Sequence, residues 1–215
     1  LQSSTIAISC VVLQRVVNGF GYIVVAAYTT SNKIEQLVQQ PFNTLGITMS
    51  TFAGQNYGAG KRDRVYSAAK RGMVLVAGFS LLMVIVMYTL GPIIVSAFVD
   101  NSGAEVIKIG SAGLRFTSLM YVFLGAIYVM RGLLNGVGDV KFALINGGVE
   151  VAGRIGFALL LIQVFNVNHM AAWYTNGLTW SITGIISVLR FIFGKWRYRF
   201  PKESDKLSGS DGLVE

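Results

Sequence analysis

The chain has 215 residues, 53% of them hydrophobic and only 13% charged, with a mean hydropathy of +0.58; this balance excludes an ordinary soluble domain and points to a polytopic membrane protein. A net charge of +8 does not mark a nucleic-acid binder, because the basic residues gather in short loops and the tail, where orientation charges sit. A single cysteine, Cys10, excludes an internal disulfide, and a single histidine, His169, excludes a metal site built on paired histidines.

Apolar runs of helical length predict an all-α bundle with six membrane-spanning helices at 1–19, 22–57, 66–91, 106–134, 140–165 and 171–194. Residues 1–200 form one domain, followed by a polar, disordered tail at 201–215. The chain opens at Leu1 inside apolar sequence, without Met, and reads as a piece of a longer protein.

The second run is too long for one upright span and carries Pro41 near its middle, so a tilt or a kink is expected. It ends at Gly54-Gln55-Asn56-Tyr57-Gly58-Ala59-Gly60, and Lys61, Arg62 and Arg64 follow at once, as where a helix surfaces on the cytoplasmic side. Gly91-Pro92 should weaken the outer end of the third span, and Asp100-Asn101-Ser102-Gly103 is a turn cluster. The fourth run starts wetter, with Glu105 and Lys108, and Gly136-Val137-Gly138-Asp139 breaks it. A glycine-rich fifth span leads to the loop Asn166-Val167-Asn168-His169. Around the sixth span, Trp173, Tyr174, Trp180, Trp196 and Tyr198 take positions expected of interfacial anchors.

Loop charges orient the bundle. Lys61, Arg62, Arg64, Lys70 and Arg71, then Arg131 and Lys141, then Lys195, Arg197, Arg199 and Lys202 fall on one side, whereas the loops at Asp100 and Asn168 lack Lys and Arg. Both ends of the segment are therefore expected in the cytoplasm. Arg15 and Lys33 depart from the pattern, and Asp63 and Asp139 read as local partners of neighbouring basic residues.

Polar side chains inside spans are the functional candidates, because a charge at mid-membrane costs roughly 2.5 to 3.5 kcal/mol on insertion scales and faces protein or a wet cavity. Asn32, Gln36, Gln39, Gln40 and Asn43 recur at helical spacing on one face, a stripe suited to a substrate cavity. Glu35 is a candidate for cation or proton coupling, or else pairs with Lys33. Glu150 and Arg154 lie four apart and share a helix face. Either they form a structural ion pair, or Glu150 exchanges a proton or cation while Arg154 sets its affinity. Arg115 pairs across helices or meets an anionic group in the cavity. Gly54/Gly58 and Gly132/Gly136 have the spacing that lets helices approach closely. No enzyme motif is present: Gly136-Val137-Gly138 lacks the third glycine of a dinucleotide loop, and Gly54 to Lys61 lacks the ending of a phosphate loop.

Three motifs recur in order over about residues 1 to 165: Asn18-Gly19-Phe20-Gly21 with Val25-Ala26-Ala27; Pro41 with Gly54 to Lys61; and Arg131-Gly132-Leu133-Leu134-Asn135-Gly136-Val137-Gly138-Asp139. In these the chain resembles the carboxy-terminal half of a multidrug and toxic compound extrusion (MATE) transporter. The resemblance implies two six-helix lobes forming an inverted V around a central cavity, in the bacterial plasma membrane. It further implies antiport: export of organic cations or amphiphilic drugs against entry of Na+ or H+, with no other cofactor. The partners would be the lipid bilayer, the substrate and an amino-terminal six-helix lobe. Some members carry a carboxylate in the first helix of this half, but residues 1–21 contain no Asp or Glu. Coupling then falls to Glu35, Glu150 or the other lobe. The alternative is a related flippase for lipid-linked oligosaccharide or lipid precursors, kept open by Lys33, Arg115 and Arg154.

Overall fold

A computed structural model describes residues 11, 13–15, 17–99, 103–194 and 196, and all regular secondary structure among them is helical. The first part of the expected 1–19 span, the turn residues Asp100-Asn101-Ser102, Cys10, Tyr198, the loop cations Lys195, Arg197, Arg199 and Lys202, and the tail at 201–215 lie outside the described residues. The helices are α1 (Tyr22–Gly58), α2 (Arg62–Ser96), α3 (Ala104–Leu119), α4 (Tyr121–Gly136), α5 (Val140–Leu159), which runs into a π-turn at Leu160–Val164, and α6 (Ala171–Phe193). The described residues at 11–18 are also helical.

α1 has 37 residues, about 55 Å at a rise of 1.5 Å per residue, against a hydrocarbon core of about 30 Å. It passes through Pro41 unbroken, and α2 likewise continues past Pro92 to Ser96 rather than failing at Gly91. The 106–134 run, expected as one helix, is two: α3 and α4 meet at Met120 with a bend of 51°. The local chemistry accounts for it. Thr117 Oγ1 donates to the Gly113 carbonyl (3.3 Å) and Ser118 Oγ to the Arg115 carbonyl (2.8 Å), and such back-bonding competes with the helix ladder and bends it.

The two glycine motifs stop their helices in the same way. Gly60 (φ +71°) and Gly138 (φ +81°) adopt the left-handed conformation. The following amides close the turn, Lys61 N–H to the Asn56 carbonyl at 2.8 Å and Asp139 N–H to the Leu134 carbonyl at 2.8 Å. These are Schellman caps, and only glycine takes that conformation without a steric penalty.

α4 lies at the centre and packs against α1, α2, α5 and α6. Its approach to α1 is backbone on backbone: a Cβ at Gly132 would fall on the Gly46 carbonyl, and one at Gly136 on the Ser50 carbonyl. Of the expected small-residue pairs, Gly132/Gly136 is therefore a packing surface and Gly54 faces the Gly136 carbonyl, whereas Gly58 meets open space. Val74, Leu75, Leu81, Leu82, Ile85 and Ile93 of α2 are exposed, forming an apolar outer face that suits lipid. Among the described residues α2, α5 with its π-turn, and α6 are long and apolar enough to cross a membrane, and the bent α3–α4 pair makes a fourth such unit.

The expected tryptophan anchors are inside the protein. Trp173 is buried over Gly113 and edge-on to Tyr28 at 5.3 Å, Trp180 packs beside Tyr121, and Trp196 stacks on Phe191 and donates to its carbonyl at 2.9 Å. Their large apolar rings fill gaps left by small residues, which contributes more than an interfacial position would. Asp139 pairs not with a local cation but with Arg190 of α6, whose Nε and Nη2 donate to Oδ2 at 2.9 and 2.7 Å.

Candidate functional site

The inner face of α1 presents Tyr28, Asn32, Glu35, Gln36 and Gln39, at helical spacing, to a cavity of about 290 Å³. Across from it α4 contributes Leu124, Ile127, Tyr128 and Arg131, α5 contributes Glu150 and Arg154, and α6 contributes Asn176 and Trp180. Leu13 and Gln14 close one side.

Glu150 is the electrostatic centre. Arg154 Nη2 lies 3.1 Å from one carboxylate oxygen and Arg131 Nη2 lies 3.4 Å from the other. The carboxylate thus bridges helices α4 and α5, and its burial is compensated by two guanidiniums. Glu35 is 3% exposed. Its Oε1 has no hydrogen-bond partner among the described residues, a costly arrangement for a buried acceptor. Two further bonds tie the wall together: Asn176 Nδ2 donates to Tyr28 Oη, and Tyr128 Oη donates to Gln39 Oε1, both at 3.3 Å.

The candidate residues read from the sequence separate in space. Asn32, Glu35, Gln36, Gln39, Glu150 and Arg154 come together in this cavity. Gln40 is exposed and bonds back to the Gln36 carbonyl at 3.4 Å, and Asn43 lies farther along α1 beside a second polar space. Arg115 is not in the cavity: its Nη2 donates to the Tyr88 carbonyl at 3.3 Å and its guanidinium lies over the Tyr88 ring. Lys33 is exposed while Glu35 is buried, as their separation by two residues, about 200° around a helix, requires. Arg131, counted among the loop charges, is instead a cavity residue with only 17% of its side chain exposed. The sequence held a signal for it, since Leu124, Ile127, Tyr128 and Arg131 repeat at i, i+3, i+4 and i+7.

Long apolar helices wrapped around an ion-paired polar cavity define an integral membrane protein whose buried charges face protein rather than lipid. The chain belongs to the MATE family: the MatE family model matches residues 1–160. It is similar to the probable multidrug resistance protein NorM of Thermotoga maritima, at 21% identity over 81% of this chain and 37% of that protein. It also resembles the probable multidrug resistance protein YoeA of Bacillus subtilis, at 24% identity over 88% of this chain and 41% of that one. The chain thus spans about two fifths of the length of these relatives. Its fold matches a solved outward-facing multidrug resistance MATE family transporter with a TM-score of 0.82 at 17% identity, over 89% of this chain and 43% of that one. It also matches an inward-facing one with a TM-score of 0.78 at 14% identity, over 100% of this chain and 47% of that one.

Proposed function

We propose that this chain is one lobe of a cation-coupled antiporter that exports organic cations or amphiphilic drugs by alternating access. The observation that carries the reading is the pair of carboxylates in one cavity: Glu150 held by two arginines, and buried Glu35 with an oxygen lacking a partner. An acceptor of that kind is stabilised by a proton or a small cation, and Glu35 takes the coupling role more readily than Glu150, whose charge is already answered. Asn32, Gln36 and Gln39 line the substrate path. The second lobe lies outside this chain, the short basic loops face the cytoplasm, and six spans complete this lobe. Na+ and H+ are both compatible with the site.

The test is export of a fluorescent organic cation by the full-length protein in membrane vesicles under an imposed pH or Na+ gradient. Glu35→Gln should abolish the dependence on the driving ion, and Gln36→Ala should change the substrate profile while insertion stays normal. Export by Glu35→Gln with unaltered ion dependence would remove Glu35 from coupling. A flippase for lipid-linked anions now rests on Arg131 and Arg154 alone, since Arg115 and Lys33 stand outside the cavity, and both remaining cations engage Glu150. Translocation of a fluorescent lipid in place of the cation would favour it.

A further inference from the structure

On α4 the polar cavity takes Leu124, Ile127, Tyr128 and Arg131. Val122 and Ala126, two residues to either side of Leu124, lie on the opposite side of that helix, because two residues turn it by about 200°. There α2 and α6 both pack on α4, but among the described residues they do not pack along one another. The gap between them is an apolar groove of about 260 Å³, with Val122 and Ala126 in its floor, Met73 of α2 in one wall, and Gly184, Ile185 and Val188 of α6 in the other. Gly184 holds α6 close to the floor, since a Cβ there would press on the Phe123 carbonyl oxygen at 2.8 Å. Ile185 is half exposed, and Val74 and Leu75 next to Met73 belong to the exposed apolar face of α2. The groove therefore opens toward lipid, on the side of the bundle away from the polar cavity.

Its mouth carries charge. On α2 Tyr66, Lys70 and Met73 follow at i, i+4 and i+7 and share a face. Tyr66 meets Phe191 of α6 edge-on at 5.6 Å, which turns that face toward α6. Lys70 thus stands about 4.5 Å beyond Met73, toward the basic residues Lys61, Arg62 and Arg64 at the start of α2. It is exposed and in no ion pair among the described residues, and exposed Arg71 follows it. Asp63, the nearest carboxylate along α2, lies two turns farther out. An apolar slot below and an ammonium at its surface end repeat the order of a phospholipid, chain first and phosphate above. We propose that the groove holds one acyl chain of a phospholipid with a net negative headgroup, taken from the leaflet on the basic-loop side, and that Lys70 engages its phosphate. Lysine is a point charge on a flexible stem, so it selects net charge rather than headgroup shape. The thioether of Met73 adapts to a chain of no fixed conformation. The assignment uses the membrane placement of these helices and stands apart from the export reading.

The experiment is native mass spectrometry of the full-length protein after incubation with equimolar dioleoyl phosphatidylglycerol and dioleoyl phosphatidylcholine. Wild type should retain one phosphatidylglycerol in preference to phosphatidylcholine by roughly fivefold, the scale of one basic residue acting on an anionic headgroup. Lys70→Gln should bring that ratio close to one, and Lys70→Arg should keep it. Arg64→Gln, nine residues before Met73 and so on the opposite face of α2, should leave the ratio within about twofold of wild type. Ile185→Trp, which fills the groove from an exposed position, should cut retention of both lipids, whereas Leu75→Trp, at the same depth on another face of α2, should not. Equal retention of the two lipids by wild type would overturn the site, as would a preference that survives Lys70→Gln or is lost equally in Arg64→Gln. Equal losses in Ile185→Trp and Leu75→Trp would overturn it too. A lipid-free dimer that Ile185→Trp separates would overturn it in favour of contact between copies of this chain.

Discussion

Glu150 and Glu35 are both buried carboxylates in one cavity, yet their surroundings make opposite demands on a neutral replacement. Removing the charge at Glu150 leaves Arg131 and Arg154 facing one another without a counter-ion, and breaking a buried pair from one side costs about 3–5 kcal/mol. Glu150→Gln should therefore lower the melting temperature in detergent markedly, and adding Arg154→Leu should restore much of it. Glu35→Gln should leave the melting temperature unchanged or raise it, because Oε1 has no partner to lose. Equal destabilisation by the two changes would contradict the asymmetry described here. The Glu150–Arg154 pair was readable in the sequence because i, i+4 spacing is a local rule. Arg131 was not placed: its i, i+7 relation to Leu124 marks a shared helix face but not what that face meets, and its partner lies 19 residues away across a helix break.

At the scale of elements, the contact of α1 with α4 depends on glycines that permit backbone approach. Gly132→Ala would drive a methyl into the Gly46 carbonyl and force the helices apart, whereas Gly58→Ala meets open space and gains about 0.5–1 kcal/mol of helix propensity. Thermal unfolding should show a clear loss for the first and no loss for the second. Gly60→Ala should cost about 1–2 kcal/mol through its left-handed conformation alone. Composition and spacing showed that these glycines matter, and the caps at Gly60 and Gly138 followed from Gly-rich helix ends. Which member of each pair touches a neighbour did not follow, since Gly54/Gly58 and Gly132/Gly136 are identical as patterns. The break at Met120 was likewise hidden, because Thr117 and Ser118 read equally well inside a continuous apolar helix.

For the whole molecule, the Asp139–Arg190 pair ties the turn between α4 and α5 to the last turns of α6. Asp139→Asn keeps the shape but weakens the tie, and limited proteolysis of the membrane-embedded protein should cut that turn faster than in wild type. Arg190 is one-third exposed, so solvent screening keeps the stability loss small, about 1 kcal/mol or less. The orientation of the lobe is tested separately. In a Cys10→Ser background, Asp63→Cys should react with an impermeant thiol reagent only from the cytoplasmic side, and His169→Cys only from the outer side. Labelling of both from one side would overturn the arrangement of spans.

By itself the sequence determined that this is an all-helical membrane protein, where its helices broadly lie, which family it resembles, and that α1 carries a polar face. Those properties depend on hydropathy, periodicity and glycine placement, which act over a few turns of chain. Tertiary structure decided the rest: that Arg131 faces Glu150 while Arg115 faces Tyr88, that the tryptophans fill the interior, and that the polar stripe divides into two compartments at Tyr128 and Arg131. Each of these pairs groups distant in sequence. A buried charge or ring takes whichever partner the packing of other helices brings within about 4 Å, and local pattern does not contain that information.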